Sequence, residues 1–346
     1  MKKLIFILLL LVLLVVGTVF ALNQKSESDT APLELNEEVK KEREEQDKQK
    51  KLEEERVKNL INEEKLIKVT DDSIDVYYKV DENKFIGYEI LHSSERLDTS
   101  VNSSNYDIWH INNANLFSFE NGKFSKEKDF VTYGEWDFTL KETGANDYSG
   151  GKAHGDEITN DFNITVDGNE PEADKLVAFE DASLTTISTI YRDSTIEEGI
   201  EIASKNRTIL FDENQLTIEQ DIEFLNDLTL DRAYLTMLPV LRTDQAGNQV
   251  TDTALVEGNN YDVSQSEFDI PELRDSENSE VNLSGEESGL SATVEVIDSS
   301  ITPLELTISN NAAYNKIYFK NGGENMNVNS GEKWNQTTNY VLNYNR

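Results

Sequence analysis

The sequence predicts a mainly β protein: a large antiparallel β-sandwich preceded by an N-terminal transmembrane or signal helix and a charged helical spacer. Three observations lead to this prediction. Apolar and polar residues alternate along residues 67–346, residues 4–22 carry no charge, and residues 40–51 contain no apolar side chain. Alternation with period two is typical of strands with one buried face. We therefore expect three segments, 1–22, 23–66 and 67–346.

The first segment begins with Lys2 and Lys3, which directly precede the uncharged run 4–22. The length of this run fits a retained membrane anchor, and it equally fits a signal peptide cleaved after Ala21. In both cases the lysines stay in the cytoplasm and the rest of the chain is exported. The expected location is therefore the cell membrane with an extracellular domain, or the medium after cleavage.

Composition excludes several classes of protein. The 346-residue chain has no cysteine, so disulfides, lipid attachment, Cys-ligated zinc and a thiol nucleophile are all excluded. An exported chain without cysteine differs from disulfide-rich secreted domains, and we expect a Gram-positive cell envelope. The formal charge of −35 would repel phosphate backbones, so we expect no nucleic-acid partner.

The second segment, 23–66, is rich in both charge signs and has the pattern of a solvated helix. Acidic residues stand four positions before lysines, an arrangement that supports an isolated helix. The pairs are Glu37–Lys41, Glu44–Lys48, Asp47–Lys51 and Glu54–Lys58. The segment is either a stalk that lifts the next domain off the membrane or a charged linker of no fixed length. Apolar residues return at Leu52, Val57, Leu60, Ile61 and Leu66, and we expect them to dock on that domain.

The third segment, 67–346, reads as many short strands separated by turns. Alternation is clear at 74–80, 136–140, 162–166, 216–224 and 304–308. Asn121-Gly122, between apolar residues, is the typical signal of a two-residue β-hairpin turn. The best helix candidate is 196–203. The acidic stretch 272–289 is the expected loop if the domain is subdivided.

The densest polar cluster lies in a glycine-rich loop between two expected strands. Its candidate residues fall between positions 147 and 157 and are Asp147, Tyr148, Lys152, His154, Asp156 and Glu157. Glycine lets a backbone approach a ligand closely, and these side chains transfer protons or hydrogen bond to hydroxyls. The loop is therefore a binding or catalytic edge, or else an ordinary long hairpin loop.

Positive charges are few in this segment and form islands at Arg192, at Lys205 and Arg207, and at Arg232 beside Tyr234. An arginine fork suits a uronate carboxylate or a phosphate, whereas the alternative is pairing with the abundant surface carboxylates. The tryptophans stack on sugar rings or fill the core, and for Trp136, on an alternating strand, we expect the core.

Metal and nucleotide motifs are weak or missing. His92, His110 and His154 show no zinc-ligand spacing, so we expect no metal at the site and no cofactor. Calcium stays open as an alternative because oxygen ligands are abundant at Asp156, Glu157, Asp161, Asp167 and Glu170, although no EF-hand loop is present. The sequence also lacks G-x-S-x-G, G-x-G-x-x-G and P-loop motifs.

The order of these features resembles a known architecture. Residues 136–239 join a strand, the glycine-rich loop with HGDE, a second strand ending in VDG, and TIYRD; NKIYFKNGG and NSGEKWNQTTNYVLNY follow later. This is similar to the β-supersandwich of galactose-mutarotase-like and polysaccharide-lyase-like carbohydrate proteins. The resemblance implies sugar recognition in a cleft between sheets.

In lyases of that kind an Arg or Asn neutralises the uronate and a His or Tyr removes the C5 proton. By resemblance, His154 with Tyr148 or Tyr234 would be base and acid, and Arg207 or Arg192 would neutralise the carboxylate. We therefore expect a surface-tethered domain that recognises, or cleaves by lyase chemistry, a polysaccharide or cell-wall glycan. The alternative is a non-catalytic envelope protein that presents an acidic β-domain to a protein partner or a divalent cation.

Overall fold

The computed structural model describes residues 32–95, 105–136, 138–267, 269–311, 313–321 and 325–345. The predicted membrane or signal helix at 4–22 and the cleavage point after Ala21 lie outside these residues. Among the helices of the described part, none combines the length and the hydropathy that a membrane span requires.

The charged segment contains a long helix, α1 (Pro32–Asn59), whose described side chains are mostly exposed. An ion pair joins Glu53 to Arg56 (2.6 Å), which are three positions apart, whereas the predicted pairs are four positions apart. The predicted pairs with described side chains (Glu44–Lys48, Asp47–Lys51 and Glu54–Lys58) show no ion-pair contact in this part of the helix. Long exposed side chains lose entropy when they pair, so such contacts contribute little.

The strands all belong to the compact unit Val57–Arg346. Within the described ranges there are twenty of them: β1 (Lys65–Val69), β2 (Ser73–Asp81), β3 (Lys84–Glu95), β4 (Tyr106–Glu120), β5 (Lys123–Val131), β6 (Thr139–Glu142), β7 (Glu157–Val166), β8 (Leu176–Ala178), β9 (Ala182–Tyr191), β10 (Glu201–Phe211), β11 (Leu216–Phe224), β12 (Leu228–Leu241), β13 (Thr253–Val256), β14 (Asn259–Asp262), β15 (Glu280–Ser284), β16 (Leu290–Ser299), β17 (Leu304–Asn310), β18 (Tyr314–Asn321), β19 (Met326–Val328) and β20 (Lys333–Tyr344). The short helix α2 (Gly151–His154) precedes β7, and 3-10 turns occupy Leu60–Asn62, Ile196–Glu198 and Pro271–Leu273.

Strand pairing is antiparallel apart from one short parallel contact between β4 and β7. One run of neighbours is β8-β1-β2-β3-β4-β5. A second is β7-β9-β10-β11-β20-β16-β15-β13-β14. In a third, β12 lies between β6 and β18, and β18 continues to β17. A bridge between Val131 and Val240 joins the first and third runs.

The core is the layer of apolar side chains between these runs. Tyr78 and Tyr88 of the first run, Ile218 and Tyr340 of the second, and Phe319 of the third are all buried in one cluster. Packing of this kind, with alternate residues of facing sheets interdigitated, is that of a β-sandwich. The mainly β prediction is thus confirmed.

Two short segments, the turn at 121–122 and the end of the spacer, fold as the sequence predicted. Asn121 and Gly122 form the predicted hairpin turn between β4 and β5, and both have positive φ (51° and 78°). Val57, Leu60, Ile61 and Leu66 pack with Phe85, Phe119 and Phe124, as expected for the end of the spacer. Leu52, which was expected to dock with them, is instead 58% exposed.

Two local expectations need correction. The predicted helix at 196–203 is wrong: only Ile196–Glu198 turns, and β10 begins at Glu201 because Gly199 has φ 69° and ends the turn. The stretch 272–289 is not one loop, since Val281 and Leu283 are buried in β15, which pairs with β13 and β16.

Candidate functional site

The strands β12 and β18 present a row of aromatic rings that the glycine-rich loop completes. The ring of Tyr234 lies 4.7 Å from that of Tyr318 and 5.6 Å from that of Tyr148, and Tyr148 lies 4.9 Å from the ring of His154. Cationic groups border this row. We call the side chains of His154, Tyr148, Tyr234, Tyr318, Arg232 and Lys316 the tyrosine face.

Strand register explains how the row forms. Tyr314, Lys316, Tyr318 and Lys320 alternate along β18 with the buried Ile317 and Phe319, so all four lie on the other side of the strand. On the neighbouring strand β12, Tyr234 is the cross-strand partner of Lys320.

The loop reaches this face through a tight turn at Gly150 and α2. Gly150 has φ 98°, and a Cβ atom there would lie 2.9 Å from the Phe138 carbonyl oxygen, so this position requires glycine. The Gly151 N–H donates to the Glu157 carboxylate (2.8 Å), whose other oxygen pairs with Lys205 Nζ at 2.7 Å. A fully buried ion pair therefore holds the base of the loop.

His154 lies at the end of the aromatic row with a carboxylate beside it. Its Nδ1 is 3.2 Å from Asp147 Oδ1, and Asp147 also accepts the N–H of Tyr148 (2.8 Å). Burial lowers the pKa of His154, and Lys316 lowers it further, although Asp147 and Glu135 act in the opposite direction. The imidazole is consequently neutral at pH 7 and able to accept a proton.

Tyr148, unlike His154, keeps its proton and can donate it. Burial, together with Tyr234, raises the pKa of Tyr148 to about 12, so its phenol stays protonated at neutral pH. The Lys141 ammonium lies 5.5 Å from the centre of the Tyr148 ring. A neutral imidazole and a protonated phenol thus lie in ring contact.

Two cationic side chains lie beside the other end of the aromatic row. Arg232 Nη1 donates to the Tyr234 hydroxyl (3.1 Å), and the Lys316 ammonium lies 4.8 Å from the centre of the Tyr318 ring while pairing with Glu135. Burial lowers the pKa of Lys316, an effect that Glu135 opposes. The face therefore combines flat aromatic surface with positive charge in an otherwise acidic domain.

The structure brings together five of the residues predicted from sequence: His154, Tyr148, Tyr234, Asp147 and Arg232. Lys152, on α2, reaches Asn112 Oδ1 at 3.4 Å.

Four other predicted residues, Arg207, Arg192, Asp156 and Glu157, lie away from the aromatic row. Arg207 is 2% exposed and donates to the Trp109 carbonyl oxygen (2.6 Å), because it lies on the buried side of β10 with Ile209 and Phe211. Arg192 makes a two-pronged contact with Glu142, at 2.7 and 3.0 Å.

Asp156 and Glu157 support the loop from inside. Both are buried, and the Asp156 carboxylate accepts the N–H of Ser194 (2.8 Å) while Glu157 holds Gly151 and Lys205. Burial raises the pKa of Asp156 to about 6. Their hydrogen bonds are made within the protein.

Lys316 and Tyr318 belong to the tyrosine face and Glu135 pairs with Lys316, but none of the three was predicted from the sequence. The segment YNKIYFK (314–320) does carry the signal, since its alternate residues are aromatic or cationic while Ile317 and Phe319 are apolar. In the sequence it lies far from the glycine-rich loop, and the two come together because β12 pairs with β18 on one side and with β6, which precedes the loop, on the other.

The described residues offer little for a metal. Within those ranges no group of three or more His, Asp or Glu side chains is arranged to hold an ion. His92 instead pairs with Asp107 (2.7 Å) and His110 with Ser93 (2.9 Å). All three tryptophans, Trp109, Trp136 and Trp334, are buried in the core.

No model of a known protein family matches the chain. No curated protein matches it either. Among solved structures, the chain is similar to a galactose mutarotase-like protein from Lactobacillus casei (10% identity, TM-score 0.39), with 80% of this chain and 99% of that one covered.

Two longer structures are also similar, an α-galactosidase from Lactobacillus brevis and a heparan sulfate lyase from Pedobacter heparinus. Each is 10% identical, with TM-scores of 0.38 and 0.35, over 81% and 80% of this chain. The chain spans only 39% and 36% of their lengths. The resemblance drawn from the sequence is confirmed as a distant likeness. TM-scores below 0.5 say nothing about what this chain binds.

Proposed function

We propose that residues 57–346 form a polysaccharide-binding domain whose binding surface is the tyrosine face. The observation that carries this proposal is the ring row of Tyr148, Tyr234 and Tyr318 with neighbouring rings 4.7–5.6 Å apart. Aromatic rings offer flat apolar surface to the C–H side of a sugar, and the bordering Arg, Lys and Asp groups suit its hydroxyls and acidic substituents.

The test is a glycan array probed with the full chain, followed by calorimetric titration of the polysaccharide that is retained. Replacing Tyr234→Ala removes the central ring of the row and should weaken binding about tenfold, or 1.4 kcal/mol. Tyr234→Phe keeps the ring and separates stacking from the hydroxyl contact to Arg232. Tyr261→Ala, on β14, is the matched control. A blank array, or equal affinity of Tyr234→Ala and wild type, would reject the proposal and favour the envelope protein that presents an acidic domain.

Lyase chemistry on the same face is the second candidate, favoured by the neutral His154 beside the protonated Tyr148. In this reaction His154 would take the C5 proton of a uronate and Tyr148 would protonate the departing C4 oxygen. The C4–O bond breaks as the C4=C5 double bond forms. Arg232 lies near Tyr148 and takes the neutralising role that the sequence suggested for Arg207 or Arg192.

The check is ultraviolet absorbance of unsaturated uronate products from uronate polymers. His154→Gln and Tyr148→Phe should each abolish the signal while binding persists. Binding without any absorbance in the wild type would leave a binding domain alone.

We also propose that the domain is held outside the cytoplasmic membrane by the run 4–22. Lys2, Lys3 and the uncharged run support this. The full chain should remain in the membrane fraction of a Gram-positive host and be removed by external protease. Recovery of a soluble chain that begins at Leu22 would instead show cleavage.

A further inference from the structure

A groove crosses the exposed side of β2–β5. It consists of two cavities of about 370 and 330 Å³, and both are lined by Asn113, Asn115 and Lys126. Each volume falls at the lower end of the range for ligand sites. Because the second cavity also contains Asp75, we call the pair of cavities the Asp75 groove.

Only some of the polar groups that line the groove are hydrogen bonded within the protein. Asp75 and Glu89 are cross-strand neighbours on β2 and β3. Glu89 accepts hydrogen bonds from Asn112 (2.6 Å) and from Asn113. Among the described residues, no donor hydrogen bonds to the Asp75 carboxylate, which is half-buried. Burial and the facing Glu89 raise the pKa of Asp75 to about 6, whereas Lys68 opposes this.

Aromatic rings form part of the same lining. Tyr77 and Phe117 meet edge to face with ring centres 5.5 Å apart, and Gly87 lies between their strands. A Cβ atom at Gly87 would come within 2.7 Å of both rings, so glycine is needed for them to pack there. The groove therefore offers ring surface beside carboxylates and amides.

The groove is continuous with the region beside the tyrosine face. Tyr133 lines the first cavity, is 52% exposed, and its ring lies 4.8 Å from that of Tyr314. Tyr314 is on the same side of β18 as Lys316 and Tyr318. Surface rings thus lead from Tyr318 to the groove.

We propose that the Asp75 groove is a second binding site, which holds neutral sugar residues of the same polysaccharide chain that the tyrosine face binds. This inference rests on the proposed function. Sugar hydroxyls both donate and accept hydrogen bonds, so they match a lining of carboxylates, amides and one ammonium group. The carboxylates disfavour uronate or phosphate at this position, since like charges repel.

The probe is a panel of neutral gluco-, galacto- and manno-oligosaccharides graded in length, titrated calorimetrically into the full chain. Asp75→Ala should weaken the binding of long members about tenfold and leave short members unchanged. Tyr133→Ala, at the junction, should show the same length dependence. Asp221→Ala removes an exposed carboxylate from β11 and is the matched control. Thermal melting, with Asp75→Asn as a second variant, confirms that the variants fold.

The outcomes separate the two proposals. If Tyr234→Ala weakens binding and neither Asp75→Ala nor Asp75→Asn does at any length, the groove proposal is overturned and the tyrosine face stands. If the Asp75 variants weaken binding and Tyr234→Ala does not, the groove stands and the tyrosine face fails. If no neutral oligosaccharide binds the wild-type chain, the groove proposal is overturned whatever uronate polymers do.

Discussion

Beside the tyrosine face, Asp147 contacts His154 and Glu135 pairs with Lys316, whereas in the Asp75 groove two carboxylates lie opposite each other. The first region thus satisfies its acidic groups from within the protein. The second leaves the half-buried Asp75 without a donor among the described residues. A satisfied network holds its geometry before a ligand arrives, while an unsatisfied carboxylate costs stability and remains available for contact.

The largest effect should come from the buried pair beneath the tyrosine face. Lys205→Met leaves the Glu157 carboxylate buried without its cation, which should cost about 3–5 kcal/mol of unfolding free energy. Denaturant titration measures it. Lys333→Met, which breaks an exposed pair with Glu223 (2.9 Å), is the control and should leave stability unchanged. If both variants behave alike, the loop does not depend on the buried pair, and the contrast between the regions loses its basis.

The second-largest effect is expected in the groove, where a substitution should raise the free energy of unfolding instead of lowering it. Because the folded pKa of Asp75 is raised to about 6, the folded state binds a proton that the unfolded state releases between about pH 4 and 6. Wild-type stability therefore falls as pH rises through this window. Asp75→Asn lacks the penalty and should be more stable than wild type by about 2 kcal/mol at pH 8, allowing for partial solvent contact.

Denaturant titrations at pH 4 and pH 8 measure this difference, which should vanish at the lower pH. A constant difference at both values would show that Asp75 titrates normally, and that its carboxylate is not held in an unfavourable position.

These contrasts show what sequence could and could not predict. The Asn121-Gly122 turn and the alternation at 74–80 depend on neighbouring residues, and both appear in the structure. His154 and Tyr148 were also predicted together, because polar residues in glycine-rich loops are often functional, whereas Tyr234 was added only by the resemblance.

The burial of Arg207 could have been predicted from the sequence. It shares the parity of Ala203, Ile209 and Phe211, which marks the buried side of β10. The position of Tyr318 beside the glycine-rich loop and the Asp75 groove could not be found in this way. They require knowing which strands pair, and that choice is set by packing between segments far apart in the chain.

A smaller effect is expected from Arg192, whose pair with Glu142 lies at the surface beside the loop. Arg192→Met should cost less than about 1 kcal/mol, because exposed ion pairs contribute little even with two contacts. Polysaccharide affinity should be unchanged, since Arg192 is not on the tyrosine face. Thermal melting and calorimetry check the two statements. A clear loss of affinity at full stability would return Arg192 to the role first suggested for it.

The smallest effect concerns the titration of His154, where burial and neighbouring charges oppose each other. Its pKa is lowered by burial and by Lys316, so between the folded value and about 6.5 the unfolded state binds more protons than the folded state. Stability contributed by the neutral imidazole is thus complete above about pH 6.5 and is lost as pH falls. Asp147 and Glu135 raise the pKa and keep this loss small. His154→Gln removes the titration, so its stability relative to wild type should rise slightly between pH 8 and pH 5, opposite in direction to Asp75→Asn. If the two variants instead shift in the same direction over that range, the two regions do not differ in how they hold their ionisable groups.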